Sequence, residues 1–236
     1  MSKKEDSNIR IQDFSSKGRV SRVLGRKSGK IHHLLSDLET NMFLILDFDR
    51  NVSNIIEHYP LKDVRDVIDD KNIDWNKFKD KKTKEDYIIT TTFLVTLING
   101  KNIAISCKNQ SELYKSNTQL KLEIERRYWS YKGVQWGIIT NKELPKNRLK
   151  NIKWLMLGEE IDEEMYFKIS SIILETIEEL DGKLSDYIEW ISKRYGFSKE
   201  EVLTVVKEMI KRNNLEVDLD KEILIDIELQ NLKISR

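Results

Sequence analysis

Tyr87-Ile-Ile-Thr-Thr-Thr-Phe-Leu-Val-Thr-Leu-Ile98 is the stretch of sequence from which the fold can be read. Its β-branched and aromatic residues favour an extended, half-buried strand. The Asn99-Gly100 pair that follows is a strong hairpin signal. Asn102 to Lys108 then returns as the partner strand, so the sequence predicts an antiparallel hairpin.

Helices and further strands surround this hairpin. A helix is predicted from His33 to Phe48, where apolar residues recur at helical spacing. Val52 to Tyr59 is predicted as a short strand, Thr118 to Tyr131 as a helix, and Val134 to Thr140 as a buried strand. Strands that alternate with helices after a hairpin indicate an α/β core with a mixed sheet.

The last third of the chain is predicted to be helical and then extended. Three helices come first, over residues 160–180, 185–195 and 199–212. Two short strands follow, over residues 215–219 and 222–229. Two helices across a tight turn, followed by a hairpin, resemble a winged helix-turn-helix. We therefore expect a basic N-terminal arm (1–30), an α/β domain (31–158) and a winged-helix-like domain (159–236).

Composition excludes several classes of protein. The 41 basic and 40 acidic residues of the 236 nearly cancel, which argues against a disordered polyelectrolyte. A single cysteine, Cys107, excludes a disulfide framework and a Cys-rich zinc site. No apolar run approaches the roughly 18 residues that span a bilayer, and the N-terminus lacks the apolar core of a signal peptide. We expect a cytoplasmic protein.

Charge is unevenly distributed along the chain. Residues 1–33 and 119–154 are strongly basic, whereas residues 159–189 are strongly acidic. A basic field suits a polyanion such as DNA. Ordinary solvated helix faces explain the pattern equally well.

A small set of residues could carry nuclease chemistry. Metal-dependent nucleases hold Mg²⁺ with carboxylates and often place a lysine near the attacking water. One widespread arrangement takes a glutamate from a helix, an aspartate from one hairpin arm and a polar-x-lysine from the other arm. Here Glu39 lies at the margin of a predicted apolar helix face, and Ser106-Cys107-Lys108 ends the second arm. A salt bridge for Glu39 and a solvated strand-end lysine are the simpler alternatives.

Five blocks of sequence carry a family resemblance. They are Lys30-Ile-His-His-Leu-Leu-Ser-Asp-Leu-Glu39, Thr91-Thr92-Phe93-Leu94-Val95, Ile105-Ser106-Cys107-Lys108, Lys121-Leu-Glu-Ile-Glu-Arg-Arg-Tyr-Trp129 and Lys150-Asn-Ile-Lys-Trp-Leu155. On these blocks the chain resembles TnsA, the endonuclease subunit of heteromeric transposases. The blocks keep their order and approximate spacing over residues 21–155.

The resemblance implies a restriction-endonuclease-like catalytic domain followed by a smaller winged-helix-like C-terminal domain. It implies a Mg²⁺-dependent (or Mn²⁺-dependent) endonuclease that hydrolyses phosphodiesters at the 5′ ends of a transposon. The implied partners are the transposon-end DNA, a TnsB-like recombinase that cuts and joins the 3′ ends, and a TnsC-like ATPase that contacts the C-terminal domain.

The resemblance also implies roles for individual residues. Glu39 matches the helix carboxylate that ligates the metal, Lys108 matches the catalytic lysine, and the Cys107 backbone carbonyl could ligate the metal. Two positions depart from the family. Thr92 stands where the family has its hairpin aspartate, and Ser106 stands where it has a polar glutamine. Thr92 is neutral and cannot supply the carboxylate that a Mg²⁺ site needs.

A further group of residues is a candidate DNA surface, with packing or solvent exposure as the simpler alternative. Its members are Lys30, His32, His33, Arg126 and Arg127.

The hairpin register decides which side chain faces Thr92. A two-residue turn at Asn99-Gly100 would place Thr92 opposite Cys107, and a three-residue bulged turn would place it opposite Lys108. The resemblance favours the second.

Three functions remain open from the sequence. The first is a working metal-dependent endonuclease, and the second is a catalytically inactive structural or regulatory subunit that bridges TnsB and TnsC. The third is an unrelated winged-helix DNA-binding regulator. Thr92 favours weakened or lost cleavage.

Overall fold

A computed structural model describes residues 19–68, 73–79, 83, 85–158, 160–221 and 227–235. Its contacts divide the chain into two compact units, with the division between Leu144 and Pro145.

The first unit opens with a small hairpin and a helix. Strands β1 (Ser21–Leu24) and β2 (Ile31–Leu34) pair antiparallel, and helix α1 (Asp37–Phe48) follows. The helix that was predicted to begin at His33 begins four residues later, at Asp37, because residues 31–34 form β2 and pair with β1. Ser36 caps the helix, since its side chain accepts a hydrogen bond from the Glu39 amide. Of the arm predicted over residues 1–30, residues 1–18 lie outside the described residues, and residues 21–24 form β1.

A four-stranded sheet forms the centre of this unit. Its strands are β3 (Val52–Pro60), β4 (Thr90–Leu97), β5 (Asn102–Cys107) and β6 (Gln135–Ile139), in the order β3-β4-β5-β6. The first two pairings are antiparallel, and β6 runs parallel to β5. The predicted α/β core with a mixed sheet is confirmed, as is the hairpin at its middle.

Two longer helices cover the two faces of the sheet. On one face Phe43 of α1 meets Phe93, with ring centroids 6.4 Å apart. On the other face, helix α3 (Ser116–Tyr131) packs Ile124 into a buried cluster with Leu94 and Ala104. Successive residues of a strand point to opposite faces, so Phe93 and Leu94 assign α1 and α3 to different sides. A one-turn helix, α2 (Val64–Val67), adds to the α3 side.

The hairpin between β4 and β5 uses a register that neither predicted alternative gave. The Leu97 amide donates to the Lys101 carbonyl at 2.8 Å, so three residues, 98–100, form the turn. The pairing runs from Thr96 opposite Asn102 to Phe93 opposite Ile105. The regular pairing ends at Phe93, and beyond it Thr92 Oγ1 accepts a hydrogen bond from the Cys107 amide at 3.0 Å.

The described residues of the second unit form four longer helices and one short strand pair. The helices are α4 (Lys146–Met156), α5 (Glu163–Thr176), α6 (Leu184–Tyr195) and α7 (Lys199–Lys211). The boundary predicted from the sequence lies after residue 158, so α4 falls on the other side of the observed division. Asn151 explains its placement, because this buried α4 side chain donates to the Leu219 and Lys221 carbonyls at 2.7 and 2.8 Å.

The end of the second unit differs from the prediction in its strands. The tight turn between α6 and α7 is present, and Ser198 and Glu201 form the complete capping box of α7. Strand β7 (Leu215–Glu216) pairs with β8 (Lys233–Ile234), not with a strand over 222–229. Residues 222–226 lie outside the described residues, and 229–231 form a single helical turn. The winged-helix-like description of this unit stays a prediction. Among the helices that the structure describes, none has the length and apolarity that a membrane crossing requires.

Candidate functional site

Glu39 is fixed by the start of α1. Its backbone amide donates to Ser36 Oγ at 3.2 Å, and its Oε2 accepts from the Leu35 amide at 2.8 Å. These reciprocal bonds resemble a capping box and satisfy two amides that the helix leaves unpaired. Only 13% of the side chain is exposed, so the carboxylate lies at the edge of the core as its position in the sequence predicted.

His58 lies beside Glu39, although sequence reasoning assigned it no role. Its Nε2 lies 3.1 Å from the His33 carbonyl oxygen and 3.7 Å from Glu39 Oε2. Its φ of 48° is left-handed, a conformation that is uncommon for a residue with a side chain. His58 lies within β3, between Glu57 and Tyr59, which pair with Phe93 and Thr91 of β4. For His58, a histidine within a predicted strand was the available signal.

The Thr92 side chain is hydrogen-bonded to the end of the neighbouring strand, β5. Its Oγ1 accepts a hydrogen bond from the Cys107 amide at 3.0 Å, and the side chain is buried. Burial raises the pKa of the Cys107 thiol from 9.0 to about 12, with Glu39 adding to the increase and Lys108 opposing it. The position therefore carries a neutral hydroxyl in contact with backbone, and the thiol beside it stays protonated.

Two lysines, Lys108 and Lys121, lie close enough to interact electrostatically, and the carboxylates of Glu39 and Glu125 also act on Lys121. Lys108 continues β5, with its amide donating to the Ile139 carbonyl at 3.1 Å. Burial lowers the pKa of Lys121 on α3; Lys108 lowers it further, while Glu125 and Glu39 act in the opposite direction. Lys121 lay within one of the resemblance blocks but was not predicted as a site residue.

Glu125 is the second carboxylate of the region, and sequence reasoning missed it. It is 1% exposed, and its Oε2 accepts from Thr91 Oγ1 at 2.9 Å and from Ser106 Oγ. Each hydroxyl in turn accepts from an indole: Trp129 Nε1 donates to Thr91 at 2.8 Å, and Trp136 Nε1 donates to Ser106 at 3.0 Å. Its position three residues before Tyr128, on the buried side of α3, was the available signal.

The described residues do not fit a multi-carboxylate metal site. They contain no group of three or more His, Cys, Asp or Glu side chains placed to hold a metal ion. Mg²⁺ requires near-octahedral oxygen ligands, usually including one or two carboxylates. Here Glu39 Oε2 caps a helix, Thr92 is neutral, and Glu125 Oε2 accepts from two hydroxyls.

The candidate DNA residues fall into different environments. His32 is buried, with Nε2 2.7 Å from Ser28 Oγ and Nδ1 2.7 Å from Glu57 Oε2. This arrangement favours packing over contact with a phosphate. His33 Nδ1 is buried and has no hydrogen-bond partner among the described residues, whereas Lys30 is exposed.

Arg126 and Arg127 share one carboxylate. Both donate to Glu123, at 2.7 to 2.8 Å, and their hydrogen bonds lower the pKa of Glu123 to about 2. Both guanidinium groups are exposed, but the Glu123 carboxylate neutralises part of their positive charge.

The sheet order, the helix carboxylate and the strand-end lysine define an α/β protein with a restriction-endonuclease-like core. Two family models match the chain: "TnsA-like endonuclease N terminal" over residues 49–141 and "TnsA endonuclease C terminal" over residues 143–219. The transposon Tn7 transposition protein TnsA of Escherichia coli is 30% identical over 219 residues, covering 90% of this chain and 79% of the relative.

The chain belongs to the TnsA family and is a TnsA-like transposase subunit. The predicted family is thereby confirmed, and the unrelated winged-helix regulator is no longer needed to explain the sequence. Thr92, Ser106, Lys108 and Glu125 lie inside the first matched range, while Glu39 precedes it.

Proposed function

We propose that this TnsA-like subunit keeps its place in a transposase while its cleavage of DNA ends is weakened or lost. The observation that carries the proposal is the Thr92 hydroxyl, which accepts from the Cys107 amide where the family resemblance requires a carboxylate. A hydroxyl bound to backbone offers neither the charge nor the geometry of a bridging aspartate. Loss of even an outer partner of a metal costs about 10- to 100-fold in affinity or activity, and a direct ligand should cost at least as much.

The retained residues do not by themselves argue for cleavage. Glu39 caps α1 through Leu35 and Ser36, so its carboxylate contributes to folding whatever its chemical role. Lys108 continues the ladder between β5 and β6 through its backbone. Both residues can therefore persist in a subunit whose catalysis has decayed.

The proposed partners follow from the family resemblance. They are transposon-end DNA, a TnsB-like recombinase and a TnsC-like ATPase that binds the C-terminal unit. In such a complex the recombinase alone would cut the DNA, and insertion would leave joined products in which the 5′ ends stay uncut. Any remaining cleavage would use Mg²⁺ or Mn²⁺ as its cofactor.

A working endonuclease is the second candidate, and Glu125 is the observation that favours it. This buried carboxylate contacts Ser106, which is one of the two altered positions, and Thr91, which is the neighbour of the other. The cost of this alternative is large, because Glu125 would have to leave two hydroxyl donors that are themselves bonded to indoles.

The experiment is cleavage of transposon-end DNA by the full chain together with its recombinase, in Mg²⁺ and in Mn²⁺. We expect little or no cutting at the 5′ ends by the wild type and measurable cutting by Thr92→Asp. Lys108→Ala in the Thr92→Asp background is the control and should return cutting to background. Efficient wild-type cutting that Lys108→Ala abolishes would contradict the proposal and support the working endonuclease.

A further inference from the structure

The hairpin formed by β1 and β2 concentrates positive charge on the first unit. Six basic residues and no acidic residue occur between Asp13 and Asp37 in the sequence. Of these six, the four on the hairpin itself are exposed: Arg22, Arg26, Lys27 and Lys30. Two carboxylates, Asp47 and Asp49, act on Lys27: their attraction raises the pKa of Lys27 against the dominant effect of burial, which lowers it.

The hairpin loop is fastened to the end of α1. The buried Asp47 carboxylate accepts from the Arg26 amide at 2.9 Å and from the Lys27 amide at 3.2 Å. A Cβ at Gly25 would come within 2.8 Å of His32 Nε2, so only glycine permits this close approach. The loop therefore presents its cations from a fixed backbone rather than from a loose arm.

Two apolar side chains stand beside these cations. Leu24 and Ile31 are partners in the β1–β2 register and are 65% and 58% exposed. Their strand neighbours point inward: His32 and Leu34 are buried. An exposed apolar pair within a cationic hairpin is typical of elements that bind DNA phosphates and insert apolar atoms into a groove.

We propose that the β1–β2 hairpin binds duplex DNA, with its cations on phosphates and the Leu24–Ile31 pair against the sugars or base edges of the minor groove. The charge of this surface is complementary to the DNA backbone, and its fixed loop reduces the entropy lost on binding. The proposal rests on the proposed role of this chain at DNA ends, and it adds the surface that makes the contact.

The test is fluorescence anisotropy of a labelled duplex with the full chain in EDTA, so that cleavage plays no part. We expect Arg22→Ala/Lys30→Ala to weaken binding by about ten-fold or more. The slope of log affinity against log salt should fall by about two, since each phosphate contact contributes about 0.9. Lys101→Ala/Lys142→Ala is the matched control, because it removes two exposed cations of the same unit that are not part of the hairpin. An equal loss in that control would overturn the proposal.

A second pair of variants tests the apolar contact. Leu24→Ser/Ile31→Ser should weaken duplex binding several-fold while leaving the salt slope and the melting temperature nearly unchanged. If DNA affinity stays the same and the melting temperature falls, the pair is covered by protein and the proposal is wrong. A negative result with either pair of variants can be distinguished from failure of the proposed function, because the proposed function is tested by DNA cleavage.

Discussion

Two carboxylates, Glu39 on the α1 side of the central sheet and Glu125 on the α3 side, are held in opposite ways. On the α1 side, Glu39 is partly exposed, caps its helix and lies 3.7 Å from His58. On the α3 side, Glu125 is buried and accepts from two hydroxyls that are backed by two indoles. The first arrangement leaves a carboxylate available at a surface, whereas the second uses one to fix a core. The comparison indicates that the carboxylate on the α3 side is engaged by Thr91 and Ser106 and does not replace the aspartate that the family resemblance places at position 92.

The largest expected effect concerns Cys107, because the charges of both Glu39 and Glu125 act on its thiol. With its pKa raised to about 12, the Cys107 thiol forms about 1,000-fold less thiolate in the folded protein than in the unfolded chain. We expect alkylation by iodoacetamide at pH 8 to be slower in the native protein by at least that factor. Rates in native buffer and in urea provide the measurement. A native rate within ten-fold of the unfolded rate would mean that this end of the sheet is open to solvent.

Truncation of each carboxylate tests the comparison itself. Glu125→Ala leaves two buried hydroxyls without their acceptor, so we expect a loss of about 3 kcal/mol in the free energy of unfolding. Glu39→Ala removes a helix-cap contact and should cost about 1 kcal/mol. Urea denaturation of the two variants gives both values. Equal losses would show that the two carboxylates are held alike.

The pH dependence of stability provides a smaller test on the α1 side. Burial tends to raise the pKa of Glu57, but hydrogen bonds from His32 and the His33 amide outweigh it and hold the pKa below 4.5. A depressed carboxylate pKa stabilises the folded state above pH 4.5, and this stabilisation is lost as the pH falls through the folded value. Glu57→Gln should therefore cost about 1 kcal/mol at pH 7, and the difference should shrink below pH 4.5. A difference that is constant from pH 7 to pH 3 would exclude this linkage.

Most of the fold could be predicted from local sequence patterns. The β4–β5 hairpin follows from β-branched residues and Asn99-Gly100, and the α7 cap follows from Ser198 and Glu201. The start of α1 was placed too early because the apolar periodicity continues through β2, where pairing with β1 overrides it. The β8 strand was missed because its partner in the sheet is set by tertiary contacts, not by the nearest extended segment.

The candidate site could be predicted only in part. Glu39, Thr92 and Lys108 were found because they match a linear family pattern, and their roles stay predictions. His58 and Glu125 could not be placed from the sequence. His58 reaches Glu39 through a left-handed backbone in β3, and Glu125 reaches Ser106 and Thr91 across the packing of α3 on the sheet. Both depend on distances between elements, which periodicity does not encode.

Metal binding tests the central claim most directly, because it isolates the missing carboxylate from DNA and from partner subunits. Mn²⁺ titration followed by electron paramagnetic resonance would compare the wild type, Thr92→Asp and Thr92→Asp/Glu39→Gln. The account predicts that Thr92→Asp binds Mn²⁺ at least about ten-fold more tightly than the wild type, and that adding Glu39→Gln removes the gain. Wild-type binding as tight as that of Thr92→Asp, and equally dependent on Glu39, would contradict the account.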